Sequence, residues 1–236
     1  MEFRKRLLAT LRAIEPVLRV EGVLVVGSEV PNLLEAGAAS TLVVSQDVDI
    51  GVPVSVHAEV KRILPSLRGL KPSPEEPSVW LPETPALIEV NFLGMDPSRL
   101  DAADTYVLKD TVLPLLVFGP LSLIRAAPPI DVDGLHIPVP RLAGLLIEKL
   151  VTDRTGEKGD RDLLVALGLI TLATEADFAN AANLFVSLSG ELRHTVRSNL
   201  TVLSLLDPRP GMPDPRPQRQ AVAALLARLE ATGAEQ

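Results

Sequence analysis

Asp47 and Asp49 stand two residues apart in Ser45-Gln-Asp-Val-Asp-Ile-Gly-Val52. In a β-strand, residues at that spacing point to the same face, so the two carboxylates converge. Like charges held that close repel unless a cation offsets them. Magnesium prefers oxygen ligands and is commonly held by one or two carboxylates together with substrate phosphates. The pair therefore reads as a site for Mg²⁺ or Mn²⁺, with a solvated strand end as the alternative. The flanking Val44, Val48, Ile50 and Val52 mark the strand as largely buried.

Two further segments carry chemistry. In Val25-Val-Gly-Ser28, a glycine and a hydroxyl follow an apolar run. Gly27 lets the backbone approach a phosphate closely. Ser28 and the free N–H groups of a following helix can donate to phosphate oxygens, or Ser28 can simply cap that helix. In Leu87-Ile-Glu-Val-Asn-Phe92, Glu89 is a lone acid in an apolar strand and needs a partner. Beside the Asp47 strand it supplies a third metal-binding carboxylate or a base for an attacking hydroxyl. On an edge strand it faces water or an arginine.

The elements that must hold these residues follow from periodicity. Residues 2–19 have helical spacing, with Leu7, Leu8, Leu11, Ile14 and Leu18 on one side. Residues 22–27, 41–52 and 87–93 read as strands, and 55–68 as a helix. Residues 72–77 read as a loop. Short strands are expected near 105–108, 115–118 and 130–138, with turns at Gly119-Pro120 and Asp133-Gly134. Pro140 is expected to open a long helix running through Lys149 to about Arg154. Helices follow from Glu157, over 174–188, over 190–206 and from Gln218 to Ala231. Residues 207–217 form a proline-rich linker. The expected fold is α/β (α+β): a mixed sheet flanked by helices over 1–139, then a helical C-terminal region over 140–236.

Composition narrows the function classes. Of 236 residues, 47% are hydrophobic and 22% charged, which suits a packed globular chain. Aromatics make up only 3%, too few for a base-stacking surface. A net charge of -7 argues against wrapping nucleic acid on a broad basic face, though not against a local basic pocket. There is no cysteine, which excludes disulfides and thiolate metal sites and fits a reducing, cytoplasmic setting. No signal peptide is visible. No apolar run reaches the roughly 20 residues needed to span a bilayer. His57, His136 and His194 lack zinc-type spacing.

The ordered set resembles a known family. Gly-Ser after a strand, Asp-x-Asp on a second strand and an acid on a third are similar to the nucleotidyltransferase superfamily founded on DNA polymerase β. Leu142-Ala-Gly-Leu-Leu-Ile-Glu-Lys149, then Arg154, then Lys158-Gly-Asp-Arg-Asp162 resembles the helical signature of AbiEii-type nucleotidyltransferases, which include toxins of type IV toxin–antitoxin systems. The resemblance spans roughly residues 20–170. Val26 stands where the family turn often has a first glycine, and the stretch from Ser28 to Asp47 is longer than usual. Gly159 occupies an acidic family position, with Asp160 one place later.

The resemblance implies transfer of a nucleoside monophosphate from an NTP to an RNA end or a protein hydroxyl. Asp47, Asp49 and Glu89 would hold Mg²⁺ or Mn²⁺, and Gly27 and Ser28 the triphosphate tail. Lys149 and Arg154 would neutralise phosphates, with Lys158 and Asp162 in support. A tRNA or a protein is the implied acceptor, and a cognate antitoxin an implied partner. The altered glycine turn leaves a second class open, a nucleotidyltransferase-fold module that binds or regulates without turnover.

Overall fold

The computed structural model describes residues 2–34, 47–99, 102, 104–152, 157–208 and 214–234. They divide into two compact units, one formed before Arg141 and one from Arg141 onward. The first is mixed α and β, and the second is helical. Among the described residues, no helix is long and apolar enough to cross a membrane.

Among the described residues, the first unit is organised around a seven-stranded mixed sheet. Its main path runs β1 (Leu24–Val26), β2 (Asp47–Pro53), β5 (Glu89–Met95), β4 (Val79–Pro82), β3 (Leu70–Pro72). β7 (Leu115–Val117) joins β5 in parallel at one register position and carries β6 (Tyr106–Leu108) on its other side. β2 and β5 run parallel at the centre, and β1 and β4 flank them antiparallel. β8 (Ile130–Val132) and β9 (Leu135–Ile137) form a separate hairpin, turned by Asp133 and Gly134 with φ of 50° and 75°.

The alternation within β2 and β5 explains their central place. Val48, Ile50 and Val52 are fully buried on one face of β2, and Val90 and Phe92 on the same face of β5. Each such side chain stabilises the fold by roughly 1.5–3 kcal/mol through burial. They join Leu7, Leu8, Leu11 and Ile14 in one core. The first three come from α1 (Glu2–Ala13), which Ile14 separates from α2 (Glu15–Leu18). With one face committed to the core, Asp47, Asp49, Glu89 and Asn91 must project from the other.

Helix α1 also fixes where β5 begins. Thr10, fully buried, accepts a hydrogen bond from the Ile88 backbone N–H at 2.9 Å. The Arg6 guanidinium donates to the Leu87 carbonyl at 2.9 Å. These two bonds hold the residues immediately before Glu89. Arg4 donates to the Asn32 carbonyl at 2.8 Å, which ties α1 to α3 (Val30–Leu34) as well.

Several sequence expectations change. The helix expected over 55–68 is regular α only over α4 (His57–Ile63), with single 3₁₀ turns on either side. Part of the expected loop at 72–77 is strand, because Pro72 pairs with Trp80 at the sheet edge. Gly119-Pro120 opens a 3₁₀ segment, Gly119–Leu123. Residues 41–46 of the second expected strand lie outside the described residues.

In the second unit, α5 (Leu142–Val151) is buried from Ala143 onward and packs against α6 (Glu157–Leu172), α7 (Glu175–Ser187) and α8 (Gly190–Leu205). Pro140 does not open this helix. It bridges to Ala126, and Arg141 is the N-cap. The helix also stops earlier than the expected Arg154. The Asn199 side chain of α8 donates to the carbonyls of Leu150 at 2.9 Å and Thr152 at 3.4 Å, satisfying helix-end acceptors. α7 begins with a capping box formed by Thr174 and Asp177, and α9 (Arg219–Ala234) is the last helix.

Candidate functional site

The parallel register of β2 and β5 sets Asp47 beside Glu89 and Asp49 beside Asn91. Asp47, Asp49, Glu89 and Asn91 are all only partly exposed. The two aspartates converge on one group, the Asn91 amide. Its Nδ2 donates to Asp47 Oδ2 at 2.9 Å and to Asp49 Oδ1 at 3.2 Å. Hydrogen bonds to charged acceptors contribute about 1.5–3 kcal/mol, so this bridge offsets part of the repulsion between the carboxylates. Asn91 Oδ1 is buried and has no hydrogen-bond partner among the described residues.

Gly27 closes the other side. Its φ is +90°, a region that side chains rarely tolerate, and a Cβ there would overlap the Asp49 carboxylate. Backbone thus comes close to an acid of the pair because residue 27 has no side chain. Gly27→Ala is therefore expected to destabilise the chain by about 2–4 kcal/mol, from left-handed strain plus overlap. Urea denaturation measures it, and a loss below about 0.5 kcal/mol would contradict this account of the turn.

Ser28 lies inside a short turn ahead of α3. Gly27–Glu29 is a single 3₁₀ turn without a side-chain cap. The Ser28 hydroxyl donates to Glu29 Oε1 at 3.3 Å instead. The α3 helix that follows is described over five residues, Val30–Leu34.

Glu29 is an acid that sequence reasoning passed over. It is 1% exposed, and its Oε2 has no hydrogen-bond partner among the described residues. Burial, together with the nearby charges of Asp47 and Asp49, pushes its carboxyl up to about 8, against hydrogen bonds from Asn32 and Ser28 that act the other way. Its signal in the sequence is slight: one acid between Ser28 and the apolar Val30-Pro31. Asn91 had a clearer signal, two residues after Glu89 and on the same strand face.

Glu89 also holds its proton more tightly than an ordinary carboxyl, because of partial burial first and then the charges of Asp47 and Glu76. It borders the aspartate pair without completing a cage. Among the described residues, no three Asp, Glu or His side chains form a group able to hold a metal ion. No family model matches the chain, and no curated protein matches it.

A divalent ion nevertheless fits the donor set at the pair. Asp47 and Asp49 offer carboxylate oxygens, and Asn91 Oδ1 is an orphaned buried acceptor.

The predicted basic residues belong to the second unit. Lys149 is buried on α5, with Nζ 3.1 Å from Glu148 Oε2 and 3.6 Å from Asp162 Oδ1. Asp162 therefore stands beside Lys149 across α5 and α6. Arg154 lies outside the described residues, and α5 ends before it at Val151. Lys158 lies in the first turn of α6, and its side chain is likewise outside the described residues, as is that of Asp160.

Proposed function

We propose that this chain is a divalent-ion-dependent nucleotidyltransferase that moves a nucleoside monophosphate from an NTP to an RNA end or a protein hydroxyl. The reading rests on the Asp47–Asp49 pair converged on one sheet face beside a glycine turn with φ of +90°. That arrangement suits phosphoryl chemistry, where positioning and charge neutralisation carry most of the catalysis. A divalent ion at the pair supplies the positive charge that offsets the phosphate oxygens. Asp47 and Asp49 hold it, and the Gly27–Ser28 turn binds the phosphate tail through its backbone and the Ser28 hydroxyl. The resemblance to AbiEii-type enzymes makes a tRNA or protein acceptor, a toxin-like role and a cognate antitoxin parts of the same proposal.

The test is incubation with each radiolabelled NTP, Mg²⁺ and a tRNA or protein pool. Label is expected in one acceptor class. No transfer, together with no NTP binding by calorimetry, overturns the reading.

One observation favours a second reading, a module that binds nucleotide or a partner without turnover. The Lys149 ammonium is buried between two acids, so its charge is already opposed within its own unit. NTP binding without transfer, unchanged by Asp49→Ala, would select this alternative.

A further inference from the structure

We propose that Asn91 is the third oxygen ligand of the divalent ion at Asp47 and Asp49, presented by a half-turn of its side-chain amide. This rests on the metal reading above and goes one residue beyond it. No third Asp, Glu or His joins the pair among the described residues, so any further protein ligand there is of another type. Asn91 is hydrogen-bonded to both aspartates, at 2.9 Å and 3.2 Å.

The amide has two faces, and the structure uses one. Nδ2 bridges the carboxylates, as an N–H donor should between two anions. Oδ1 is left buried without a donor among the described residues. A buried carbonyl without a donor is costly to the fold. Once a cation lies between the carboxylates, the preferences reverse. An N–H group facing a cation is repelled, whereas an amide oxygen is an ordinary ligand for Mg²⁺ or Mn²⁺. The terminal torsion of asparagine is broad and roughly two-fold, so exchanging Nδ2 for Oδ1 requires no backbone movement. Asn91 thus holds the pair converged in the metal-free protein and ligates in the loaded one.

Glu29 and Glu89 are weaker choices for this place. Glu29 lies off the two central strands, in the turn before α3, with Oε1 accepting from Ser28, and Glu89 lies level with Asp47 and not with Asp49.

Mn²⁺ binding to the full chain, followed by electron paramagnetic resonance, tests the assignment without any assay of transfer. Asn91→Leu, similar in size and without a polar atom, is expected to weaken Mn²⁺ binding at least about tenfold, and Asn91→Asp to match or exceed the wild type. In the wild-type chain, the Asn91 side-chain amide protons are expected to move upfield in NMR spectra as Mg²⁺ is added, because their carboxylate acceptors are lost. That measurement decides the matter even if Asn91→Leu does not fold. Mn²⁺ binding that Asp49→Ala abolishes but Asn91→Leu leaves within about twofold, or amide protons unmoved by saturating Mg²⁺, overturns the ligand role while the metal site stands. No Mn²⁺ binding by the wild type overturns both.

Discussion

For the proposed nucleotidyl transfer, replacing Asp49 with alanine is expected to lower the rate by about a thousandfold, equivalent to about 4 kcal/mol of transition-state stabilisation. The size follows from the position of the residue. Asp49 is level with Asn91 in the register, accepts its amide at 3.2 Å, and packs against the bare backbone of Gly27. It therefore joins the acidic pair to the Gly27–Ser28 turn, and under the proposed function its loss removes a ligand of the divalent ion. Stability should change by about 2 kcal/mol or less, because loss of the Asn91 hydrogen bond is partly offset by relief of a like-charge repulsion. The two effects separate cleanly. Transfer rates are measured at saturating NTP and Mg²⁺, and thermal unfolding is measured alongside. A variant that folds normally and keeps more than a tenth of the activity would remove Asp49 from the reaction.

How much of this was visible beforehand depended on the range of the signal. The central strands were legible because burial on one face imposes a period of two, and Val48, Ile50 and Val52 display it with the acids between them. Two carboxylates two residues apart predicted their own convergence. The register of β2 against β5 was not legible, since nothing local specifies which residue of one strand faces which of the other. The difference matters: a two-residue slip would set Glu89 beside Asp49 and move Asn91 away. The pairing of Ile88 with Thr10, 78 positions away, helps to set that register. Helix ends were misjudged for a similar reason. Pro140 has the chemistry of a helix start, but its bridge to Ala126 keeps it extended, and α5 stops at Val151 where Asn199 from another helix meets its last carbonyls. Glu29 escaped notice because a short turn has no periodicity. Only the folded chain shows that the residue after Ser28 points inward.

That inward acid gives the molecule a defined response to pH. Glu29→Gln is expected to stabilise the metal-free protein increasingly as pH rises from about 4.5 to about 8. The wild-type carboxyl ordinarily ionises near 4.5 but is pushed up to about 8 in the fold, first by burial and further by Asp47 and Asp49. Below the lower value, both folded and unfolded chains hold the proton, and the side chain imposes no ionisation penalty. Between the two values the unfolded chain releases the proton while the folded one retains it, so stability falls with rising pH. Above about 8 both are ionised, and the folded state carries the full cost of a buried charge beside two others. A shift of this size corresponds to a loss on the order of 3–5 kcal/mol across the window. Glutamine has no such proton to lose. It keeps an acceptor for the Ser28 hydroxyl and places an amide where Glu29 Oε2 has no partner among the described residues. The variant and the wild type should therefore match within about 1 kcal/mol at pH 5 and diverge by several kcal/mol at pH 8.5, with the variant the more stable. Urea denaturation in the presence of a chelator, repeated across this range, gives both curves. Parallel curves would mean that Glu29 ionises normally in the fold and that its carboxyl is not held against the aspartate pair.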